Sequence, residues 1–279
     1  MAAIRKALIP VAGLGTRMGP LARIVPKAMF PLTDARGRVR PVAHWVCIEA
    51  AAAGINEVAL IVSPGHLDAI RQYFALATDE AADLPEKIAY IPGEPLGFGY
   101  AVLRGEEFIG GEPFIVFLGD HVHLAEPGSP PCAAQVAAAF GQWGGAAMIG
   151  MQTVGPDELA LVGVAAGEPL GERVYRCAAF VEKPDLATAR RRLTTPGLGT
   201  GRFLAHCGIY AFAPEIFNCL EGVRARLSAG EELQLAEAQA MLLARRPRDY
   251  YLIEIAGRAY DTGTPLGYAA AQAAFARLS

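Results

Sequence analysis

The sequence predicts an α/β protein in which a mostly parallel sheet, flanked by helices, carries a smaller β-rich lobe. Three observations support this prediction. Apolar runs alternate with helical patterns through the first half of the chain, as is typical of parallel sheets covered on both faces. The first apolar run stops at a glycine-rich loop, residues 12–20. From residue 147 onward, short strand-like runs separated by turns replace the alternation.

The elements of the first half follow from apolar runs bounded by glycine and polar residues. Val42–Ala53 has a helical pattern that stops at Gly54, and Phe114–Leu118 is a wholly apolar run that stops at Gly119. Strands are predicted at Ala7–Val11, Glu57–Val62, Lys87–Ile91 and Phe114–Leu118, and helices at Val42–Ala53, His66–Leu76, Tyr100–Ile109 and Ala133–Gln142.

The second half is predicted to form a lobe on the same sheet, because no linker-like composition separates the halves. We therefore expect a single domain, 1–279, with halves of about 1–142 and 143–279. Strands are predicted at Ala147–Val154, Leu161–Ala165, Arg173–Glu182, His206–Ala213 and Tyr250–Ile255, and helices at Glu215–Leu220, Glu232–Arg245 and from Pro265.

Composition excludes several classes of protein. A net charge of −3 over 279 residues has no basic footprint for nucleic acid. Ala133–Met151, the longest apolar-looking stretch, is too rich in Ala and Gly to span a bilayer, so no membrane partner is expected. Five cysteines without a CxxC pair indicate reduced thiols and a cytoplasmic protein.

The glycine-rich loop predicts a phosphate site. Glycines after a strand let backbone N–H groups approach phosphate oxygens, and a guanidinium can bridge two of those oxygens. Gly13, Gly15 and Arg17 supply these parts. The loop is neither a GxxxxGK[ST] P-loop nor a GxGxxG dinucleotide fingerprint, since Met18 stands where the third glycine belongs.

Several motifs, in order along nearly the whole chain, resemble the uridylyltransferase branch of the sugar-1-phosphate nucleotidyltransferase family. They are AGLGTRMGPLARIVPKAMFPL at 12–32, the strand ending at Asp120, VEKP at 181–184, GIYAFAPEIF at 208–217, GEELQLAEA at 230–238 and YDTG followed by PLGY at 260–268. The resemblance implies a Rossmann-like sheet with a sugar-binding lobe, as in nucleotide-diphospho-sugar transferases. It also implies an enzyme that joins UTP to glucose 1-phosphate and releases pyrophosphate, and a homo-oligomer.

The resemblance also implies roles for particular residues. Arg17 and Lys27 would be catalytic groups that stabilise phosphate charge, and Asp120 and Asp261 would hold Mg²⁺. Both aspartates follow apparent strand ends, so a parallel sheet could bring them to one edge. The nucleotide would contact Ala12, Gly13, Leu14, Gly15, Thr16, Arg17, Pro92 and Gly97, and the sugar phosphate would contact Gly163, Glu182, Lys183 and His206.

Some residues leave alternatives open. Pro92 stands where the uridylyltransferases carry a base-reading Gln, so GTP, dTTP or ATP and another sugar are alternatives. His121 and His123 would share a face of an extended segment and suggest zinc, although polar loop residues are the favoured interpretation. A catalytically silent sugar-nucleotide-binding relative and a nicotinamide oxidoreductase are the competing functions.

Overall fold

The computed structural model describes residues 3–13, 15–77 and 82–277. In this part of the chain the strands are β1 (Lys6–Pro10), β2 (Pro31–Thr33), β3 (Val39–Pro41), β4 (Glu57–Val62), β5 (Lys87–Pro92), β6 (Phe114–Phe117), β7 (His121–Ala125), β8 (Ala147–Val154), β9 (Gly163–Gly171), β10 (Val174–Glu182), β11 (Phe203–Phe212), β12 (Tyr250–Glu254) and β13 (Gly257–Asp261). The α-helices are α1 (Val42–Ala52), α2 (Leu67–Leu76), α3 (Phe98–Leu103), α4 (Glu106–Ile109), α5 (Cys132–Trp143), α6 (Leu186–Arg192), α7 (Glu215–Arg224), α8 (Leu235–Arg245) and α9 (Pro265–Phe275).

A nine-stranded sheet runs through the molecule in the order β5-β4-β1-β6-β11-β8-β12-β10-β9. The four strands from the first half are all parallel to one another. The remaining strands are antiparallel to their neighbours, except that β12 is parallel to β8. The predicted α/β class is therefore confirmed: a parallel sheet flanked by helices, with a β-rich lobe built on it.

The parallel strands are apolar on both faces, which is why they form the centre of the fold. Successive side chains of a strand point to opposite faces. In β4, Val58 and Leu60 pack into one buried cluster, whereas Ala59 and Ile61 pack into another on the opposite side. Helices must cover both faces of such a sheet to remove it from water.

Strand β11 belongs to both lobes. Its first residues, near Leu204, pair with β8 and β9, and its last residues, near Tyr210, pair with β8 and β6. The register shifts between His206 and Tyr210, and Gly208 has a φ of 86° there. A left-handed residue at this point suits glycine because it lacks a Cβ. The long strand thereby connects the lobe to the carboxyl ends of the parallel strands.

Several elements differ from the sequence prediction. The predicted helix Tyr100–Ile109 is two helices, α3 and α4, separated at Arg104 and Gly105. Strands β9 and β11 are longer than predicted, and helix α6 and two small antiparallel sheets, β2–β3 and β7–β13, were missed. Among the described residues, none of the helices is both long enough and apolar enough to cross a membrane.

Candidate active site

The loop after β1 lines a cleft at the carboxyl end of the parallel strands, where α/β proteins place their ligands. The cleft has a volume of about 480 Å³. The predicted nucleotide-binding residues Ala12, Gly13, Gly15, Thr16 and Gly97 all line it. Lys27 and Asp120 line it as well, together with Pro10, Glu94, Pro95, Phe98, Ala101, Leu118, Gly119, Glu232 and Gln234. Leu14, also predicted to contact the nucleotide, lies outside the described residues.

Lys27 reaches the glycine loop from a single turn of 3-10 helix, Lys27–Met29. A Cβ on Gly13 would lie 3.5 Å from the Lys27 amine, so the amine lies directly against the backbone of the glycine loop. The amine also forms an ion pair and a hydrogen bond with Oδ2 of Asp120, and the two side chains are only 17% and 11% exposed. Bare backbone and a fixed positive charge therefore meet at one point, as a phosphate group requires.

The two predicted metal-binding aspartates lie together, but not for the predicted reason. Asp261 does not follow a strand of the parallel sheet: it ends β13, which pairs antiparallel with β7 so that Asp261 lies opposite His121. Thr262 strengthens this junction by donating both its N–H and its hydroxyl to the carbonyl oxygen of Asp120, at 2.8 and 2.7 Å. Ligand atoms of Asp120, His121 and Asp261 all lie within 4.8 Å of one another.

Positive charge surrounds the carboxylates. Nη1 of Arg17 lies 3.4 Å from Oδ2 of Asp261, and the Arg17 side chain is 54% exposed. Burial by itself raises the pKa of Asp120, but the hydrogen bond to His121 and the charge of Lys27 outweigh it and hold the pKa well below its ordinary value. Asp120 is therefore ionised at neutral pH and available as an oxygen ligand for a divalent cation.

The opposite wall of the cleft comes from distant parts of the sequence. Gly97 has a φ of 106°, and a Cβ there would lie 2.3 Å from the carbonyl oxygen of Leu233. Leu233 donates its N–H to the carbonyl of Leu96 and accepts from the N–H of Gly99. This contact brings Glu232 and Gln234 into the cleft beside Glu94. None of these three polar residues was predicted as a site residue, although 230–238 had been identified as a motif.

Pro92 lies apart from this group. It is exposed at the end of β5, it does not line the cleft, and its carbonyl accepts a hydrogen bond of 3.4 Å from Nε of Arg104. Among the predicted nucleotide-binding residues that the structure describes, Pro92 and Arg17 are the two that do not line this cleft.

The four predicted sugar-phosphate residues form a second cluster, in the β-rich lobe. Gly163 pairs with Glu182 across β9 and β10. A Cβ on Gly163 would lie 2.9 Å from a carboxylate oxygen of Glu182 and 3.1 Å from Nδ1 of His206. The Lys183 amine lies 3.8 Å from Glu182, and Lys183 has a φ of 47°.

His206 is a neutral polar group at neutral pH. Its ring packs between Phe180 and Tyr210, with centroid distances of 5.8 and 5.7 Å. Burial lowers its pKa to about 4, because a charged ring loses hydration there. His206 and Gly208 are two residues apart on β11, about 7 Å, and a Cβ on Gly208 would touch the ring of His121 at 3.2 Å. The sugar cluster is therefore close to the carboxylates.

His121 and His123 are not the loop residues that the sequence predicted: both lie in β7. His123 is buried, and its Nε2 donates to the carbonyl of Cys207 at 2.7 Å. His121 instead contacts Asp120, with 2.9 Å between Nδ1 and Oδ1. The metal-ligand cluster contains only His121 of this pair, so the zinc hypothesis that joined the two histidines has no support in the described residues.

Comparison with known proteins identifies the family of this chain. Residues 6–277 match the nucleotidyl transferase family. The chain belongs to this family. Its UTP–glucose-1-phosphate uridylyltransferase relatives include the Staphylococcus epidermidis protein, 32% identical over 286 residues that cover 96% of this chain and 91% of the relative. The Bacillus subtilis protein is 33% identical over 287 residues, which cover 96% of this chain and 89% of the relative.

Solved structures of this nucleotidyl transferase family have the same fold. A UDP-glucose pyrophosphorylase complexed with UDP-glucose superposes with a TM-score of 0.79 at 26% identity, covering 98% of each chain. The UDP-glucose pyrophosphorylase from Acinetobacter baumannii superposes with a TM-score of 0.75 at 26% identity, covering 96% of this chain and 92% of that one. The resemblance inferred from sequence motifs is thus confirmed over almost the full length of the nucleotidyl transferase fold.

Proposed function

We infer that this chain is an enzyme that transfers a uridylyl group from UTP to glucose 1-phosphate, forming UDP-glucose and pyrophosphate. The main support is that two relatives named for this activity each match 96% of the chain, with 32% and 33% sequence identity. The site supports the same chemistry. Lys27 and Asp120 line a glycine-lined cleft, and Arg17 pairs with Asp261 close to Asp120.

The reaction is a displacement at phosphorus. A phosphate oxygen of glucose 1-phosphate forms a bond to the α-phosphorus of UTP, and the bond to the β-phosphate oxygen breaks, so that pyrophosphate leaves with the electron pair. No nucleophile from the protein is needed. The protein must position two anions and stabilise the negative charge that develops.

Backbone and positive charge perform this task in our proposal. Backbone amides of the glycine-rich loop cradle the triphosphate, and Lys27 contacts the α-phosphate and the incoming phosphate. Arg17, whose side chain is exposed, holds the departing pyrophosphate. Both side chains pair with aspartates in the structure. When a phosphate group binds Lys27 or Arg17, that side chain no longer neutralises its aspartate. Another cation is then needed beside the carboxylates.

A divalent cation meets that need, and the nucleotidyl transferase family generally uses one. Asp120 and Asp261 fit it, because ionised carboxylate oxygens are the ligands that Mg²⁺ prefers and these two converge within 4.8 Å. We propose that both hold Mg²⁺, which would reduce the repulsion between the two anionic substrates. A cytoplasmic location and a homo-oligomeric state stay predictions from the sequence.

The sugar cluster is proposed to select the second substrate. Lys183 offsets the charge of the sugar phosphate. The carboxylate of Glu182 accepts hydrogen bonds from sugar hydroxyls, and neutral His206 can either donate or accept one. Gly163 leaves space between Glu182 and His206, where a Cβ would contact both.

Base recognition is proposed to depend on the backbone near Pro92. Pro92 offers no side-chain donor and its carbonyl is engaged by Arg104, so we propose that backbone groups of 92–97 read uracil. Discrimination between bases should then be loose, because strong exclusion depends on buried polar groups that the wrong ligand leaves unpaired. Rejection of the other triphosphates by more than about 10⁴ would contradict this proposal.

The test is a panel of UTP, dTTP, GTP, ATP and CTP, each with Mg²⁺ and glucose 1-phosphate, followed by pyrophosphate release and chromatography of the sugar nucleotide. UDP-glucose should be the main product. The Lys27→Ala variant should be nearly inactive, whereas Lys87→Ala, which removes an exposed lysine paired with Glu57, should be normal. No pyrophosphate from any combination would instead favour a catalytically silent binding protein.

A further inference from the structure

His121 belongs to the cluster that Asp120 and Asp261 form. It begins β7, directly after Asp120 and directly opposite Asp261 in the β7–β13 pairing. Its side chain is 14% exposed. A nitrogen of the imidazole lies within 4.8 Å of a carboxylate oxygen of each aspartate, so all three side chains could bind one ion.

The spacing of the imidazole suits a shared metal ion. Nδ1 of His121 lies 2.9 Å from Oδ1 of Asp120. Two ligands at right angles on an octahedral ion, each about 2.1 Å from it, are separated by about 3 Å. The distance between Nδ1 of His121 and Oδ1 of Asp120 therefore matches the distance between two adjacent ligands of one ion. Oδ2 of Asp120, the other carboxylate oxygen, faces Lys27 and need not move.

Hydrogen bonds fix the main chain around His121, and β11 packs against its ring. The N–H of His121 donates to the carbonyl of Leu118 at 3.0 Å, and the N–H of Leu118 donates to the carbonyl of Gly208 at 2.9 Å. A Cβ on Gly208 would lie 3.2 Å from Cγ of His121, so β11 packs closely against the ring. A side chain fixed by packing loses little conformational entropy when it binds an ion.

We propose that Nδ1 of His121 is a third protein ligand of the divalent cation, beside Asp120 and Asp261, and that it makes the site prefer Mn²⁺ to Mg²⁺. This proposal rests on the proposed function, which assigns the metal to this cluster. Carboxylate and water ligands suit Mg²⁺ and Mn²⁺ alike, whereas an imidazole nitrogen binds the divalent first-row transition ions, of which Mn²⁺ is bound most weakly, in preference to Mg²⁺. In the structure Nδ1 donates its proton to Oδ1 of Asp120. The ion would take the place of that proton, and the ring would then carry its proton at Nε2.

The direct test is pulsed electron paramagnetic resonance of Mn²⁺ bound to the protein in the presence of UTP. The wild-type protein should show coupling to a coordinated ¹⁴N nucleus. Protein grown with ¹⁵N-labelled histidine should show the ¹⁵N pattern in its place, a result that requires no mutation. Absence of nitrogen coupling in both samples would overturn the proposal.

Affinity provides the second arm. His121→Asn should weaken Mn²⁺ binding by about tenfold or more, since even the loss of a group that only supports a metal ligand typically costs this much. The affinity for Mg²⁺, measured by competition, should fall by a smaller factor. His66→Asn, which removes a histidine bonded to Ser63, should change neither. An unchanged ratio of the two affinities in a folded His121→Asn variant would refute the assignment.

The product assay separates this inference from the proposed function. A protein that forms UDP-glucose with Mg²⁺ but shows no nitrogen coupling refutes only the role of His121. A protein with nitrogen coupling and an altered affinity ratio, but no sugar-nucleotide product, retains the metal site and refutes the proposed reaction.

Discussion

Replacement of Gly263 by alanine would test whether the two aspartates act as a pair. Gly263 follows β13 directly after Thr262, and its N–H donates to Oδ1 of Asp261 at 2.7 Å. A Cβ at this position would lie 2.7 Å from Oδ2 of Asp120, 2.9 Å from Oδ1 of Asp261 and 3.1 Å from Nη2 of Arg17. One methyl group would therefore touch both proposed metal ligands and a proposed phosphate ligand.

The expected magnitude follows from these distances. Ordinary van der Waals contact begins near 3.4 Å, so the Asp120 oxygen would have to retreat by about 0.7 Å and the Asp261 oxygen by about 0.5 Å. A misplacement of about 1 Å at a catalytic site can cost about 10²-fold. We therefore expect kcat to fall by about 10-fold to 10²-fold and the Mg²⁺ requirement to rise.

Global stability should change little. The φ of Gly263 lies outside the left-handed region, so alanine can adopt its backbone conformation. The matched control is Gly141→Ala: Gly141 lies within α5, where a Cβ would meet nothing within 4 Å. That control should have normal kcat and a free energy of unfolding that is unchanged or raised by up to about 1 kcal/mol.

The assay is pyrophosphate release as a function of Mg²⁺ concentration, together with thermal denaturation of each variant. A Gly263→Ala protein with the kcat and the Mg²⁺ titration of the wild type would refute the view that Asp120 and Asp261 hold the metal jointly. Loss of activity accompanied by unfolding would contradict the local effect expected from the backbone geometry.

Three further predictions concern side chains. Lys27→Ala should lower kcat by about 10² to 10³, the scale of losing one preorganised donor, and normal turnover would remove Lys27 from the site. Lys183→Ala should raise the KM for glucose 1-phosphate while UTP binding, measured by calorimetry, stays unchanged; the opposite result would reverse the assignment of the two subsites. Burial lowers the pKa of His123 from its ordinary value of 6.5 to about 4. Between these pH values the unfolded chain binds more protons than the folded protein, so the stability of the fold decreases as the pH falls through that window. His123→Gln should therefore reduce the loss of melting temperature between pH 7 and pH 5, and an identical loss would contradict the assignment.

The parallel strands were the most predictable part of the fold. Glu57–Val62 was predicted with the bounds that the structure has, and Ala7–Val11, Lys87–Ile91 and Phe114–Leu118 were each predicted to within one residue at either end. Their apolar runs are continuous because both faces of the sheet are covered. The short helix α6 was missed because its sequence, LATARRR, buries only Ala189 and therefore has no apolar face to detect.

The candidate site was predictable where residues sit in a motif and not elsewhere. Lys27, Asp120, Glu182 and Asp261 were all identified from the resemblance, and the structure brings them into two neighbouring clusters. Gln234 was not identified as a cleft residue, since its position depends on the docking of Leu233 against Gly97, more than a hundred residues away. No local pattern records such a contact.

By itself the sequence determined the class of fold and the order of its longer strands and helices, and it predicted a phosphate site in the glycine-rich loop, because these depend on local apolar periodicity and on residue type. Only the tertiary structure decided how Asp261 reaches Asp120. The two lie together through the antiparallel pairing of β7 and β13, five-residue strands of mixed burial whose periodicity is too short to detect. The tertiary structure also decided the surroundings of the two histidines of β7. His121 contacts Asp120 and His123 contacts Cys207, because these contacts depend on which strands pack against β7.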